Sequence, residues 1–143
     1  DNEIAWLNWE GMRDEIAEAV ADLSAFRKAN GGIQNLRFAS GPDQGDPNGP
    51  VATWHHPDGR TMAHEDWQDS GLPVFGLTLD MADGRRLLFC LNAGDDAEFA
   101  LPEGDWTQRI DTAAEKVGIE QPIEGTVTVG GQSVAVFECV ATA

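Results

Sequence analysis

A chain of 143 residues supports one well-cored domain with at most one appended element, and is too short for two full domains of ordinary size. Its 25 acidic residues against 9 basic ones give a net charge of −16, which repels phosphate over most of the surface and excludes nucleic acid and anionic membrane as partners. No apolar run reaches the roughly 20 residues that span a bilayer, and no basic-then-apolar signal pattern opens the chain.

In chain order, residues 1–10 read as an aromatic, acidic loop. From about Met12 the pattern turns helical: Ile16, Val20 and Leu23, flanked by Ala19 and Phe26, form one apolar stripe at steps of three and four. Asp14, Glu15 and Glu18 near the start and Arg27 and Lys28 near the end match the helix dipole, and Gly31-Gly32 is the expected stop. This single helix needs a surface, either the sheet, a second copy of the chain or a domain outside it. A short strand is expected near Leu36–Phe38, then an exposed loop of turn formers over 41–50. Val51–His55 reads as a strand turned back by Pro57-Asp58-Gly59, and 61–67 as one helical turn.

The organising stretch is 86–92. Leu87, Phe89 and Leu91 point one way and Leu88 and Cys90 the other, so the strand is expected to be central with something packed on each side. Val74–Asp80 before it and Ala97–Leu101 after it alternate, predicting a three-stranded antiparallel meander. A strand near Trp106–Ile110, a loop over 112–118 and a hairpin of 125–129 with 133–140 about a Gly130-Gly131 turn complete the count. One helix and seven or eight short strands argue for a mainly β chain, an antiparallel two-sheet β-sandwich preceded by one α-helix.

Few residues suggest chemistry. Cys90 and Cys139 fall in strand patterns without Cys-x-x-Cys spacing, so they are expected as buried free thiols suited to a reducing, cytoplasmic compartment. His55, His56 and His64 beside Glu65 and Asp66 have no metal-ligand spacing and are expected as exposed turn histidines. The adjacent carboxylates Glu65-Asp66 and Asp95-Asp96 sit on turns, whereas glycoside cleavage needs two carboxyls facing one bond from opposite sides. Ser133 lacks a nucleophile elbow, and no Gly-rich loop leads from a strand into a helix to hold a phosphate. No cofactor is called for. The tryptophans Trp6, Trp9, Trp54, Trp67 and Trp106 remain: each taken singly favours burial, but a cluster on one open face would favour sugar.

Longer runs carry a resemblance. Asp1-Asn2-Glu3-Ile4-Ala5-Trp6-Leu7-Asn8-Trp9, the helix ending Leu23-Ser24-Ala25-Phe26-Arg27-Lys28, Trp54-His55-His56-Pro57-Asp58-Gly59-Arg60-Thr61-Met62 with Glu65-Asp66-Trp67, Leu87–Ala93, and Phe99-Ala100-Leu101-Pro102 with Asp105-Trp106 occur in order. Together they resemble the C-terminal region of bacterial glycogen debranching enzymes of the isoamylase type, in the alpha-amylase superfamily, from residue 1 to about 112. The resemblance implies a (β/α)₈ barrel that hydrolyses α-1,6 branch linkages with an Asp nucleophile, a Glu acid/base and a second Asp, all upstream of these residues. No catalytic residue is assigned here. It also implies a division into 1–32, the terminal loop and last helix of a barrel, and 33–143, a β-sandwich accessory domain packed against that barrel. A chain that starts at Asp1 without Met reads as a fragment of such an enzyme. Asp1, Asn2, Glu3, Trp6 and Trp9 would then line the glucan cleft at the barrel rim. A carbohydrate-binding module for α-glucan is the alternative. If Phe89 is as central as its pattern says, Phe89→Ala is expected to cost about 3–5 kcal/mol of unfolding free energy in a denaturant titration.

Overall fold

A computed structural model of the chain describes residues 11, 13–34, 51–81 and 83–140. The opening segment 1–10, the strand expected near Leu36–Phe38 and the loop 41–50 lie outside the described residues. The helix forms as the stripe predicts: α1 spans Asp14–Ala29 with Asp14 and Glu15 in its first turn and Arg27 and Lys28 in its last. The expected stop at Gly31-Gly32 is displaced by one break. Asn30 ends α1 with its backbone N–H on the Phe26 carbonyl, and a further helical turn, α2, comes next at Gly31–Gln34.

Eight strands complete the described chain: β1 (Val51–His55), β2 (Val74–Asp80), β3 (Arg85–Asn92), β4 (Ala97–Ala100), β5 (Trp106–Asp111), β6 (Gly118–Ile123), β7 (Thr126–Val129) and β8 (Ser133–Val140). All pairs are antiparallel, in a six-stranded sheet of order β1-β2-β3-β8-β5-β6 and a two-stranded sheet β4-β7. The chain is therefore the expected antiparallel two-sheet β-sandwich preceded by a helix.

Local pairing departs from expectation in two places. β4 does not extend a meander onto β3, and β7 does not form a hairpin with β8; each leaves for the small sheet and the two pair with one another. The cause is a buried amide at the end of β3. Asn92 Nδ2 faces the carbonyls of Asp95, Val129 and Gly130 at 2.8, 3.0 and 3.0 Å, while its Oδ1 accepts the Gly94 N–H at 3.0 Å. The β3-to-β4 turn, which leaves the large sheet, and the β7-to-β8 turn, which returns to it, are thus stapled side by side, with Gln132 N–H on Gly94 O and Gly131 N–H on Asp96 Oδ1. β6, which no clear alternation in the sequence announces, pairs with β5 across a bulge at Arg109.

The two faces of the large sheet differ. Its inner face, carrying Val74, Leu88, Cys90, Trp106, Ala135, Phe137 and Cys139, meets Phe99, Val127 and Val129 of the small sheet in one buried cluster. Gly76 makes this contact possible, because a Cβ there would stand 2.6 Å from the Phe99 ring. The outer face carries Leu87, Phe89 and Leu91, and only Leu87 is buried; Phe89 and Leu91 are half-buried. The central position of β3 between β2 and β8 is as expected, but its second face is incompletely covered. The cost expected from sequence for Phe89 is accordingly revised. Phe137→Ala, on the sealed face, is expected to cost about 3–5 kcal/mol, and Phe89→Ala about 1–2 kcal/mol, by urea titration.

Candidate functional site

The partly covered outer face, where Leu87 and Val136 are buried but Phe89, Leu91 and Trp54 are not, is the surface on which these residues could meet something else. Antiparallel partners share a face, which sets Trp54, Leu77, Phe89 and Val136 in one row across β1-β2-β3-β8, and Phe75, Leu91 and Val134 in the next. At the β1 end of these rows a loop adds one more ring. Gly59, at a φ of +88°, turns the chain back so that Thr61 bridges His55 and Met62 donates to the Trp54 carbonyl at 2.8 Å.

The loop is then locked by one cation. Arg60 donates from Nε to Asp58 at 3.2 Å and from Nη1 and Nη2 to the two Asp66 oxygens at 2.5 and 2.7 Å, and Ala63 N–H adds 2.7 Å to Asp66. The Arg60 fork, helped by the Ala63 amide, holds the Asp66 carboxyl well below the usual carboxylate range. Asp66 opens a 3-10 turn at Asp66–Gln68, which lays Trp67 against Trp54 edge to face, at 5.4 Å and 85° between centroids and planes. Phe75 closes the triangle, 5.7 Å from Trp54 and 6.1 Å from Trp67. Trp54 stays 38% and Trp67 48% exposed.

Helix α1 lies over the β5-β6 side. Asp22 Oδ2 accepts the Gly118 N–H at 2.9 Å, where any side chain at 118 would collide with the Asp22 carboxyl. Asn30 Oδ1, buried, accepts Arg85 Nη1 at 2.7 Å, and Phe26 lines a crevice with Ile110 and Gly118. The face so used is Ala19, Asp22 and Phe26. Of the predicted stripe, the flanking Ala19 and Phe26 turn to this face while its centre points away: Ile16, Val20 and Leu23 are 50%, 56% and 43% exposed.

Of the residues singled out from sequence, Asp1, Asn2, Glu3, Trp6 and Trp9 lie outside the described residues. Trp106 is buried in the core with its indole N–H on the Pro102 carbonyl at 2.7 Å. Trp54 and Trp67, each expected to be buried when taken singly, are exposed and together. Phe75 reads from sequence as a strand residue alone; its place opposite Leu91, one step from the Trp54 row, is the available signal. His55 is not an exposed turn residue but a buried one in β1, its Nδ1 3.3 Å from the Gly59 carbonyl, whereas His56 leans on Asp58 and His64 is exposed. Cys90 and Cys139 are buried and free, and burial pushes the Cys90 thiol above its ordinary range. Among the described residues no group of three or more His, Cys, Asp and Glu could hold a metal ion, and no helix is long and apolar enough to cross a membrane.

No protein-family profile matches the chain. Among curated proteins it is similar to the glycogen debranching enzyme of Pectobacterium carotovorum, 32% identical over 107 residues that make up 74% of this chain. The chain spans 15% of the length of that relative.

Burial lowers the His55 pKa from its ordinary 6.5, outweighing the Gly59 carbonyl that favours its protonated form. The unfolded chain therefore takes up the proton first. The stability His55 contributes is present above pH 6.5 and is lost as pH falls below it, through the lowered folded value. Urea titrations from pH 8 to pH 5 are expected to show this loss in the parent chain and a flatter profile in His55→Gln; equal slopes would contradict it.

Proposed function

We propose that this chain is the non-catalytic C-terminal accessory region of an isoamylase-type glycogen debranching enzyme. Residues 1–32 would close the catalytic barrel, and 33–143 would be the sandwich that packs against it and stabilises it. The observation that carries the reading is the orientation of α1. Helices of a soluble domain turn their apolar stripe inward, yet α1 spends its Ala19, Asp22 and Phe26 face on the sandwich and holds Ile16, Val20 and Leu23 out to solvent. A helix with one face on each of two bodies is what a junction between barrel and sandwich requires. The half-buried Phe89 and Leu91 lie on the same side of the large sheet and would extend the contact.

Similarity to a debranching enzyme over three-quarters of the chain supports the same assignment. On this reading the barrel supplies nucleophile and acid/base, hydrolysis of α-1,6 linkages is its work, and the present residues contribute rigidity and position. The enzyme would act in the cytoplasm, where two unpaired thiols persist. Without a barrel the stripe is open to a second copy of the chain.

Two measurements test the reading. The 143-residue chain is expected to release no reducing ends from branched limit dextrin, and measurable hydrolysis would contradict it. Val20→Asp is expected to change its unfolding free energy by less than about 0.5 kcal/mol. A loss comparable to that of a core residue would mean the stripe is already covered within the chain.

A further inference from the structure

We infer that Trp54 and Trp67, backed by Phe75, form a stacking site for a linear α-1,4-linked glucan, distinct from the helix stripe that would meet the barrel. The inference rests on the debranching-enzyme reading for the class of polymer, and on the ring geometry for the rest. Exposed indoles bind sugar because the C–H-rich face of a pyranose packs on the π face while its hydroxyls stay in water. Here more than a third of one indole and nearly half of the other remain open, at the edge of the sheet where β1 ends.

The angle between the rings selects the linkage. A β-1,4-linked glucan is a flat ribbon and would need aromatic faces lying in parallel planes. An α-1,4-linked chain coils, so its successive sugar rings are inclined to one another. Indole planes crossing at 85° with centroids 5.4 Å apart meet edge to face, so the surfaces they leave open are inclined and share no common plane. The rings are also held before any ligand arrives, Trp54 by the strand and Trp67 by the Arg60 clamp on Asp58 and Asp66, so little ordering is lost on binding. Gln68, exposed and next in the chain to Trp67, is the polar side chain placed for hydroxyls, whereas the Asp66 oxygens are taken by Arg60 and Ala63.

The test uses the 143-residue chain with two probes, maltoheptaose and cellohexaose, monitored by calorimetry and by tryptophan fluorescence. Saturable binding of maltoheptaose in the millimolar range is expected, typical of a small stacking site, with none for cellohexaose. Trp67→Ala is expected to weaken it by about ten-fold or more, with an unchanged far-ultraviolet dichroism spectrum. Arg60→Gln, which frees the loop while keeping both indoles, is expected to weaken it less. Absence of saturable maltoheptaose binding, equal binding of both sugars, or binding undiminished in Trp54→Ala and Trp67→Ala would each overturn the inference. So would a concentration-dependent dimer abolished by Trp67→Ala, which would assign the rings to a protein contact. None of these outcomes bears on dextrin hydrolysis or on Val20→Asp, so the accessory-domain reading stands or falls separately.

Discussion

The structure depends on the buried amide of Asn92. A sheet of six strands and a sheet of two can close on one another only if the chain passes between them in register; it does so four times, and the β3-to-β4 and β7-to-β8 passages meet at this side chain. In a dry setting, backbone carbonyls left unpaired at a turn cost about 1–3 kcal/mol each, so the amide does more than decorate the crossing. Its two N–H donors are shared among the Asp95, Val129 and Gly130 carbonyls, the last of which Ser133 Oγ–H also reaches at 2.6 Å, and its Oδ1 accepts the Gly94 N–H. Once the passages are fixed, Phe99 has one place to go, with its ring tip over Gly76 in the cluster of Leu88, Val127 and Val129.

That closure leaves the molecule asymmetric. One face of the large sheet is sealed by the small sheet, and the other is shared between a helix docked at the β6 side and an aromatic cluster at the β1 side. An apolar surface divided this way has two distinct chemistries. The helix stripe is aliphatic and suits another protein surface; the indole corner is aromatic, inclined and rimmed by polar side chains, and suits a sugar. Both belong to a polypeptide similar to a glycogen debranching enzyme.

Most of the architecture was legible because period-two alternation and turn residues are local signals. β2, β3 and β8 lie where Val-, Leu- and Phe-rich runs put them, and β1 and β5 where shorter runs about Trp54 and Trp106 do. Pairing between strands far apart in sequence stayed hidden. Two Val-rich runs around Gly130-Gly131 look like a hairpin, and nothing local records that Asn92, 38 positions before Gly130, holds that turn open between sheets. The burial of His55 was hidden likewise, since its inward direction comes from pairing opposite Gly76. At the candidate site the tryptophans were visible one by one, but their meeting depends on the Arg60 fork, which spans six residues and has no sequence period.

Native-state amide hydrogen exchange on the 143-residue chain tests the central claim, that closure through Asn92 makes the two sheets one cooperative unit while α1 is held only at its edge. The account predicts that amides of β3, β8, β4 and β7 exchange together through global unfolding, and that α1 opens at a distinctly lower free energy. Independent, faster exchange of β4 and β7, or an α1 protected to the same level as β8, would contradict it.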